Sequence, residues 1–493
     1  MYDSEEIEQL QNRNLCCKCI KEKYLSDLMK KDGKLRSCSY CGKKRHTFKL
    51  EKVAELVEGA MSRHYYKTAD NPDSADYSAY KEGLLEFERD GDPVCDVIAE
   101  IIKTENDDIA EDICTLLSEK HEYSDDSCDD ENEFAEKSMY RRRESKAPTY
   151  YNDYDPLCLD ADYGWREKWS AFKESIKFEK RFFNPAAQNF LKELFAGITE
   201  ASQTSNGLSV IERVGPNTEL THAYRARIFY SEEDMHKAFC NPEKFLGPPP
   251  PSKARAGRMN PAGIAFFYGA DDIEVALSEV RPIVGSLVLV ARFEILRPMR
   301  VLNLDALQLL IEEGSYFDPH YAERLSRKNF FPELWRDLLR PTMPGEEEMD
   351  YLPTQFIAEY LASPDGLNID GIRHSSVQAG DQGDNIVFFH GRGDVRFVHR
   401  PKPLHLGQPF AIEDHPYYAV READALKDRE QPEEPYEYGC SYHDGQAPSL
   451  RLDTRNIGIY RINSVQTTYI SQNVIWEVPD YEAQPPELPI SLL

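Results

Sequence analysis

Two groups of residues in this 493-residue chain have types and spacings that could do chemistry. The first is Cys16-x2-Cys19, eighteen residues, then Cys38-x2-Cys41. Each Cys-x2-Cys turn can place two sulfurs ~2.3 Å from one metal, and two such turns close a tetrahedron. The pattern predicts a structural zinc held by Cys16, Cys19, Cys38 and Cys41, with no open position for catalysis. Gly42 suits the knuckle turn because it lacks a Cβ. Cys17 is left out, since pairing it with Cys19 makes a poorer Cys-x-Cys fit. The second group lies in 221–293: Tyr224-Arg225-Ala226-Arg227, then Arg255, Gly257 and Arg258, then Tyr268, then Glu279 on an otherwise apolar helix. Arginine forks suit a pyrophosphate, and a tyrosine ending a strand can stack on a ring or donate a hydrogen bond. Gly257 and Gly263 would let backbone approach a ligand. The ensemble suits a nucleotide diphosphate, though structural ion pairs would also explain it. A further cluster spans 351–390 and contains Ser375 and Ser376, which read locally as a polar turn after a strand.

The elements that must position these groups follow from composition and periodicity. At ~100–200 residues per domain the chain holds two to four domains. Its 59 Lys+Arg against 87 Asp+Glu give a net charge of −28, which disfavours nucleic acid as a partner of the whole chain. Lysines around the cysteines are expected to be solvated surface. The longest aliphatic run, Leu287 to Ala291, falls far short of the ~20 residues of a membrane span. The acidic start lacks an apolar leader, and five of eleven cysteines fall in the first 41 residues, so a reducing cytoplasm is expected.

The fold class expected is α+β. Residues 1–46 form the zinc module. Residues 47–205 form a helical domain, with Asp92-Pro93 starting one helix, Ile109 to Leu117 in a second and Asn184-Pro185 starting a third. Its acidic stretch 121–164 reads as a linker or insertion. Residues 206–399 form a mixed α/β domain. Strands are expected at 264–268, 287–293, 369–373 and 385–389, and helices at 271–280, 305–314, 320–340 and 353–363. Pro248 to Pro251 is a rigid loop. The proline-rich acidic stretch 400–455 is expected to have little regular structure, and 456–493 to hold C-terminal strands, within 457–477, and a tail.

Gly257-Arg258-Met259-Asn260-Pro261-Ala262-Gly263, Phe267-Tyr268-Gly269-Ala270 and Ala276-Leu277-Ser278-Glu279-Val280 resemble, in order and spacing, the signature of the RES family. Asp370-Gly371-Ile372 through Ser376, with Asn385 and Phe388, resembles its second signature. Coverage is about 210–395, plus strands near 457–468. The zinc module and front helices resemble the HEPN-type N-terminal domain attached to some RES proteins.

The resemblance implies a fold similar to ADP-ribosyltransferases and an enzyme that destroys NAD at its nicotinamide–ribose bond, by phosphorolysis or hydrolysis, as a toxin or defence effector. NAD would be the substrate and inorganic phosphate a co-substrate. A helix-turn-helix antitoxin is the implied partner, a homo-oligomer is left open, and composition and charge argue against a membrane and nucleic acid. Arg225 would be the family's first arginine and Arg258 a second cation. Tyr268 would sit against nicotinamide or its ribose, Glu279 would be the acid and Ser376 the serine. Arg225, Arg258, Tyr268 and Asn260 would contact the dinucleotide. Met259 stands where the family usually has tryptophan and His374 where tyrosine is frequent. The alternatives are a HEPN-type ribonuclease in the front domain, which needs a spaced Arg–His pair that Arg45-His46 and Arg63-His64 do not supply, and a non-catalytic nucleotide-binding sensor.

Overall fold

The computed structural model describes residues 4–67, 91–122, 139–142, 164–200, 202–340 and, with short breaks, 342–395, then 404–412, 415–422 and 449–465. The chain begins with α1 (Ser4–Asn12), β1 (Asn14–Cys16), α2 (Lys23–Asp32), β2 (Lys34–Ser37) and β3 (Lys44–Lys49), in a small sheet of order β1-β3-β2. Then come α3 (Leu50–His64), β4 (Tyr65–Lys67), β5 (Asp92–Pro93), α4 (Val94–Ile102), α5 (Asp107–Glu122) and β6 (Met139–Arg142). The apolar residues expected at helical spacing do face one core: Val94, Val97, Ile98, Ile101 and Ile102 meet Ile109, Ile113, Leu116 and Leu117 there, with Leu15, Phe48 and Val57. The helix start at Asp92 differs from expectation. Asp92 and Pro93 pair with β6, so Pro93 is the N-cap and the helix begins at Val94. β6 falls inside the stretch read as linker. Its Arg141 and Arg142 gain a partner in β4, a non-local pairing that periodicity does not reveal. Residues 123–138 and 143–163 of that stretch lie outside the described residues.

α6 (Trp165–Glu174) and α7 (Pro185–Leu194) follow. Asn184 caps α7 by accepting from Ala187 N at 3.0 Å, with proline at the first helical position. Trp165, Trp169, Phe172, Phe190 and Leu194 pack against Leu304, Phe331, Ile357 and Ile372. These helices therefore share a core with the large sheet, although the boundary expected at 205/206 groups them with the front helices.

The large sheet has eight strands in the order β16-β10-β8-β9-β13-β12-β11-β7. In chain order they are β7 (Ile211–Val214), β8 (His222–Phe229), β9 (Phe267–Ala270), β10 (Leu287–Ile295), β11 (Met299–Asn303), β12 (Gly371–Ser375), β13 (Asp384–Phe388) and β16 (Leu450–Arg461). Among these, β11 and β12 pair parallel and the other pairs run antiparallel, a mixed sheet. The intervening helices are α8 (Glu232–Cys240), α9 (Pro242–Leu246), α10 (Ile273–Glu279), α11 (Leu304–Gln308), α12 (Tyr321–Leu339), α13 (Glu347–Asp350) and α14 (Leu352–Ala362). Most expected elements fall within a few residues of these. α11 is shorter than 305–314, because Leu310 instead bridges to Thr204 as extended chain. The stretch 400–455 is more regular than expected. β14 (Leu404–Ile412) and β15 (His415–Glu422) form a hairpin, and β16 begins at Leu450. Its prolines mask the pattern, yet Pro409 and Pro416 sit in a two-stranded ribbon where every strand is an edge. Residues beyond 465 lie outside the described set.

Among the described residues, front and sheet regions meet at the segment 316–321. Phe317 joins the front core, and Tyr316 packs against it. Arg63 donates to the Tyr316 carbonyl at 3.3 Å, and the buried His64 ring lies 4.6 Å from the Tyr316 ring and 5.6 Å from the Tyr321 ring.

Candidate functional site

The site is built where the sheet comes apart. β8 and β9 are neighbours but pair only at Tyr224↔Ala270. Beyond that point the strands diverge, and Arg225 Nη1 donates to the Tyr268 carbonyl at 2.7 Å in place of a strand amide. The guanidinium lies 5.4 Å from the centre of the Phe267 ring. Its Nε is buried with no hydrogen-bond partner among the described residues. Burial, with a smaller contribution from the positive charge of Arg227, pushes Arg225 down to about 9, so it remains charged at neutral pH.

Registry lines up the floor of a cleft on one face. Tyr224, Ala270, Asn385 and His374 stand opposite one another across β8, β9, β13 and β12, and Tyr268 stands opposite Val387 two residues along. These residues, with Arg225, Arg258, Met259, Glu279, Arg281 and Tyr351, line a cleft of about 410 Å³. Four residues expected from the sequence, Arg225, Arg258, Tyr268 and Glu279, therefore come together.

Asp272 caps α10 by accepting from Glu274 N, and the helix presents Glu279 at its far end. Two donors converge on one oxygen: Ser376 Oγ reaches Glu279 Oε1 at 2.6 Å and Asn385 Nδ2 reaches it at 2.7 Å. Glu279 itself is exposed, whereas Ser376 is 0% exposed and does not line the cleft. Ser376 thus stands behind the acid rather than beside a ligand. Ser375 is used elsewhere, its N and Oγ both bonding Asp305 Oδ2.

Asn260 likewise acts from behind. Buried, it donates to the carbonyls of Arg255, Pro261 and Ile264, and its Oδ1 accepts from Tyr268 OH at 2.7 Å. These bonds make Asn260 a clamp that folds the 255–264 loop and orients the tyrosine; it does not line the cleft that holds Glu279, but it lines a chamber beside it. Burial pushes the Tyr268 phenol up, so it stays a hydrogen-bond donor at neutral pH. Gln355 on α14 fastens the same loop, donating to the carbonyls of Gly257 and Asn260 at 2.9 and 3.0 Å. Arg258 is held at its Nη1 by the carbonyls of Leu338 and Arg340, closing the C-terminal end of α12. Burial holds its guanidinium below the usual arginine range.

Gly257 approaches side chains rather than a ligand. A Cβ there would lie 2.6 Å from Asn260 Oδ1 and 3.0 Å from Tyr268 OH. Gly257→Ala is expected to push the tyrosine out of line and cost about 1–3 kcal/mol by overpacking. Denaturant unfolding checks this, and an unchanged midpoint would contradict it. Gly263 has a φ of +86° and serves the turn itself.

The sequence reading missed Arg281, which lines the cleft from a left-handed φ of 48° just after α10. A cation two residues past the candidate acid was the available signal. It also gave no role to Asn385, whose importance rests on β13 lying beside β9. Met259, at the tryptophan position, is buried at the cleft wall, and burial lowers the affinity of His374 for a proton.

In the front region Cys16, Cys19, Cys38 and Cys41 have all four sulfurs within 4.8 Å of one another, a set that could hold a metal. Cys16 to Cys19 is 3.6 Å, Cys16 to Cys41 is 3.7 Å and Cys19 to Cys38 is 3.8 Å. A tetrahedron with ~2.3 Å metal–sulfur bonds has edges of about 3.8 Å, close to these three separations. Among the described residues no helix is long and apolar enough to cross a membrane.

No curated protein matches the chain. Residues 225–409 match the RES domain, and residues 31–189 match HEPN/RES N-terminal domain 1. The first match bears out the resemblance read from the two signatures and the second the resemblance of the front region: the chain carries a RES domain at 225–409 behind a HEPN/RES N-terminal domain at 31–189.

Proposed function

We propose that the chain cleaves the nicotinamide–ribose bond of NAD. The observation that carries this reading is one cleft that gathers Arg225, Arg258, Tyr268 and Glu279. RES domains occur in NAD-related toxins, which supports the choice of dinucleotide.

Arg225 and Arg258 hold the pyrophosphate and so orient the sugar. Tyr268 lies against the nicotinamide riboside. As the C1′–N bond breaks, its electron pair leaves with neutral nicotinamide and positive charge develops on the ribose. Glu279 stabilises that charge. Ser376 and Asn385 engage Oε1, which leaves Oε2 for a ribose hydroxyl or the developing cation. Water or phosphate then bonds C1′. Neither Ser376 nor Asn260 touches substrate in this account; both are positioning residues.

In the front region we assign the four cysteines to a structural zinc. A toxin or defence role and a helix-turn-helix antitoxin follow the family resemblance alone, and a cytoplasmic site of action follows the cysteine usage. A ribonuclease centre at Arg63-His64 finds no support, since His64 is buried under Tyr316 and Tyr321.

The test is product analysis on the purified chain with NAD, with and without millimolar phosphate. Phosphate-dependent loss yielding ADP-ribose 1″-phosphate identifies phosphorolysis, and phosphate-independent ADP-ribose identifies hydrolysis. Nucleotide binding with no turnover in either condition would favour the sensor.

A further inference from the structure

The proposed cleavage leaves one proton unassigned. Water that bonds C1′ must lose a proton, and Glu279 is already engaged, by Ser376 and Asn385 at Oε1 and by the developing cation. Apart from Glu279 and His374, the described residues that line the cleft are arginines, tyrosines, amides, a glycine and apolar side chains. Arginine, tyrosine and amide groups are poor proton acceptors near neutral pH, whereas a neutral imidazole is a good one.

The surroundings of His374 set its ring up as an acceptor. It stands near the end of β12, opposite Asn385 on β13, whose Nδ2 reaches Glu279. Its Nδ1 lies 2.9 Å from the Ser375 carbonyl oxygen. A carbonyl oxygen only accepts, so Nδ1 carries the proton and Nε2 the lone pair. That carbonyl belongs to an anchored residue, because the N and Oγ of Ser375 both bond Asp305 Oδ2. Trp335 on α12 meets the ring at a steep angle, with ring centroids 5.6 Å apart and planes at 68°, which fixes its orientation. Among the described residues Nε2 has no hydrogen-bond partner, and it is not sealed in protein as the Arg225 Nε is. Burial lowers the proton affinity of the ring, against the opposing effects of the Ser375 carbonyl and of the carboxylates of Glu279, Asp305 and Asp384. The ring is therefore neutral at pH 7.

Resting on the NAD reading, we propose that His374 is the general base of the hydrolytic branch, taking a proton from the attacking water at Nε2. The water oxygen bonds C1′ while the C1′–N bond breaks, and the electron pair of that bond leaves with neutral nicotinamide. One proton passes from the water oxygen to Nε2, and the imidazolium returns it to solvent. Nothing is oxidised or reduced. A phosphate dianion attacks through an oxygen that has no proton to lose, so the phosphorolytic branch does not call on this base.

Product analysis with NAD tests this on the purified full chain, His374→Gln and His374→Phe, at slightly alkaline pH, without phosphate and with millimolar phosphate. Without phosphate, ADP-ribose formation is expected to fall about 10²-fold in both variants. An imidazolium cannot accept a proton, so parent hydrolysis should decline as pH falls below ~6.5, and that decline should be missing from the variants. With phosphate, the product ratio should shift about ten-fold or more toward ADP-ribose 1″-phosphate, a change that looser folding or weaker NAD binding does not produce. ADP-ribose formed at the parent rate, both products lost in equal proportion, or an acid-side decline that persists in the variants overturns the proposal. So does a parent chain that releases nicotinamide only when phosphate is present, and the NAD reading then stands. A parent chain that releases no nicotinamide in either condition removes the NAD reading and this proposal with it.

Discussion

Glu279→Gln is expected to slow nicotinamide release from NAD by about 10²–10³-fold, with ADP-ribose affinity and melting temperature close to those of the parent chain. The amide keeps the size of the carboxylate and can still accept from Ser376 and Asn385 at its oxygen, so the fold loses little. It cannot stabilise a developing cation. Ser376→Ala should behave differently. It removes one of two donors to Oε1 and leaves the charge in place, so activity should fall by a smaller factor. Turnover by Glu279→Gln at the parent rate would show that this carboxylate is not the acid.

The second large effect concerns the cysteines. One zinc per chain is expected by elemental analysis. Apparent binding energies of about 10–16 kcal/mol are known for four-ligand zinc peptides, and here part of that energy folds the module. Stripping the metal under denaturing chelation, or Cys38→Ser, should therefore unfold the β1-β3-β2 module and loosen α3, whose Val53 and Val57 share its core with Leu15 and Phe48. The large sheet packs separately around Phe267, Phe293 and Phe388 and should retain its own unfolding transition. A metal-free chain with unchanged thermal unfolding would refute the zinc assignment.

What could be read beforehand follows physical locality. The Cys-x2-Cys pairs, the helices around Ile98 and Ile113 and the cap at Asn184 are short-range patterns, and each is found where spacing put it. Arg225, Tyr268 and Glu279 were singled out by residue type and family signature, and they share one cleft. The sequence could not show that Ser376 and Asn260 are buried behind their neighbours, because that depends on the end of β12 and on β13 meeting Glu279 at the end of α10, and on the 255–264 loop folding back on Tyr268. The split between β8 and β9 was hidden for the same reason. Arg225 occupies a place in a strand ladder that only the pairing partner defines. The β14–β15 hairpin was concealed by prolines that an isolated ribbon tolerates.

The most direct test of the central claim is the amount of free nicotinamide formed when the purified full-length chain is incubated with NAD and phosphate. The expected result is catalytic, many-turnover release that Glu279→Gln slows by about 10²–10³-fold. A folded chain that binds NAD and releases no nicotinamide, with phosphate present or absent, would contradict it.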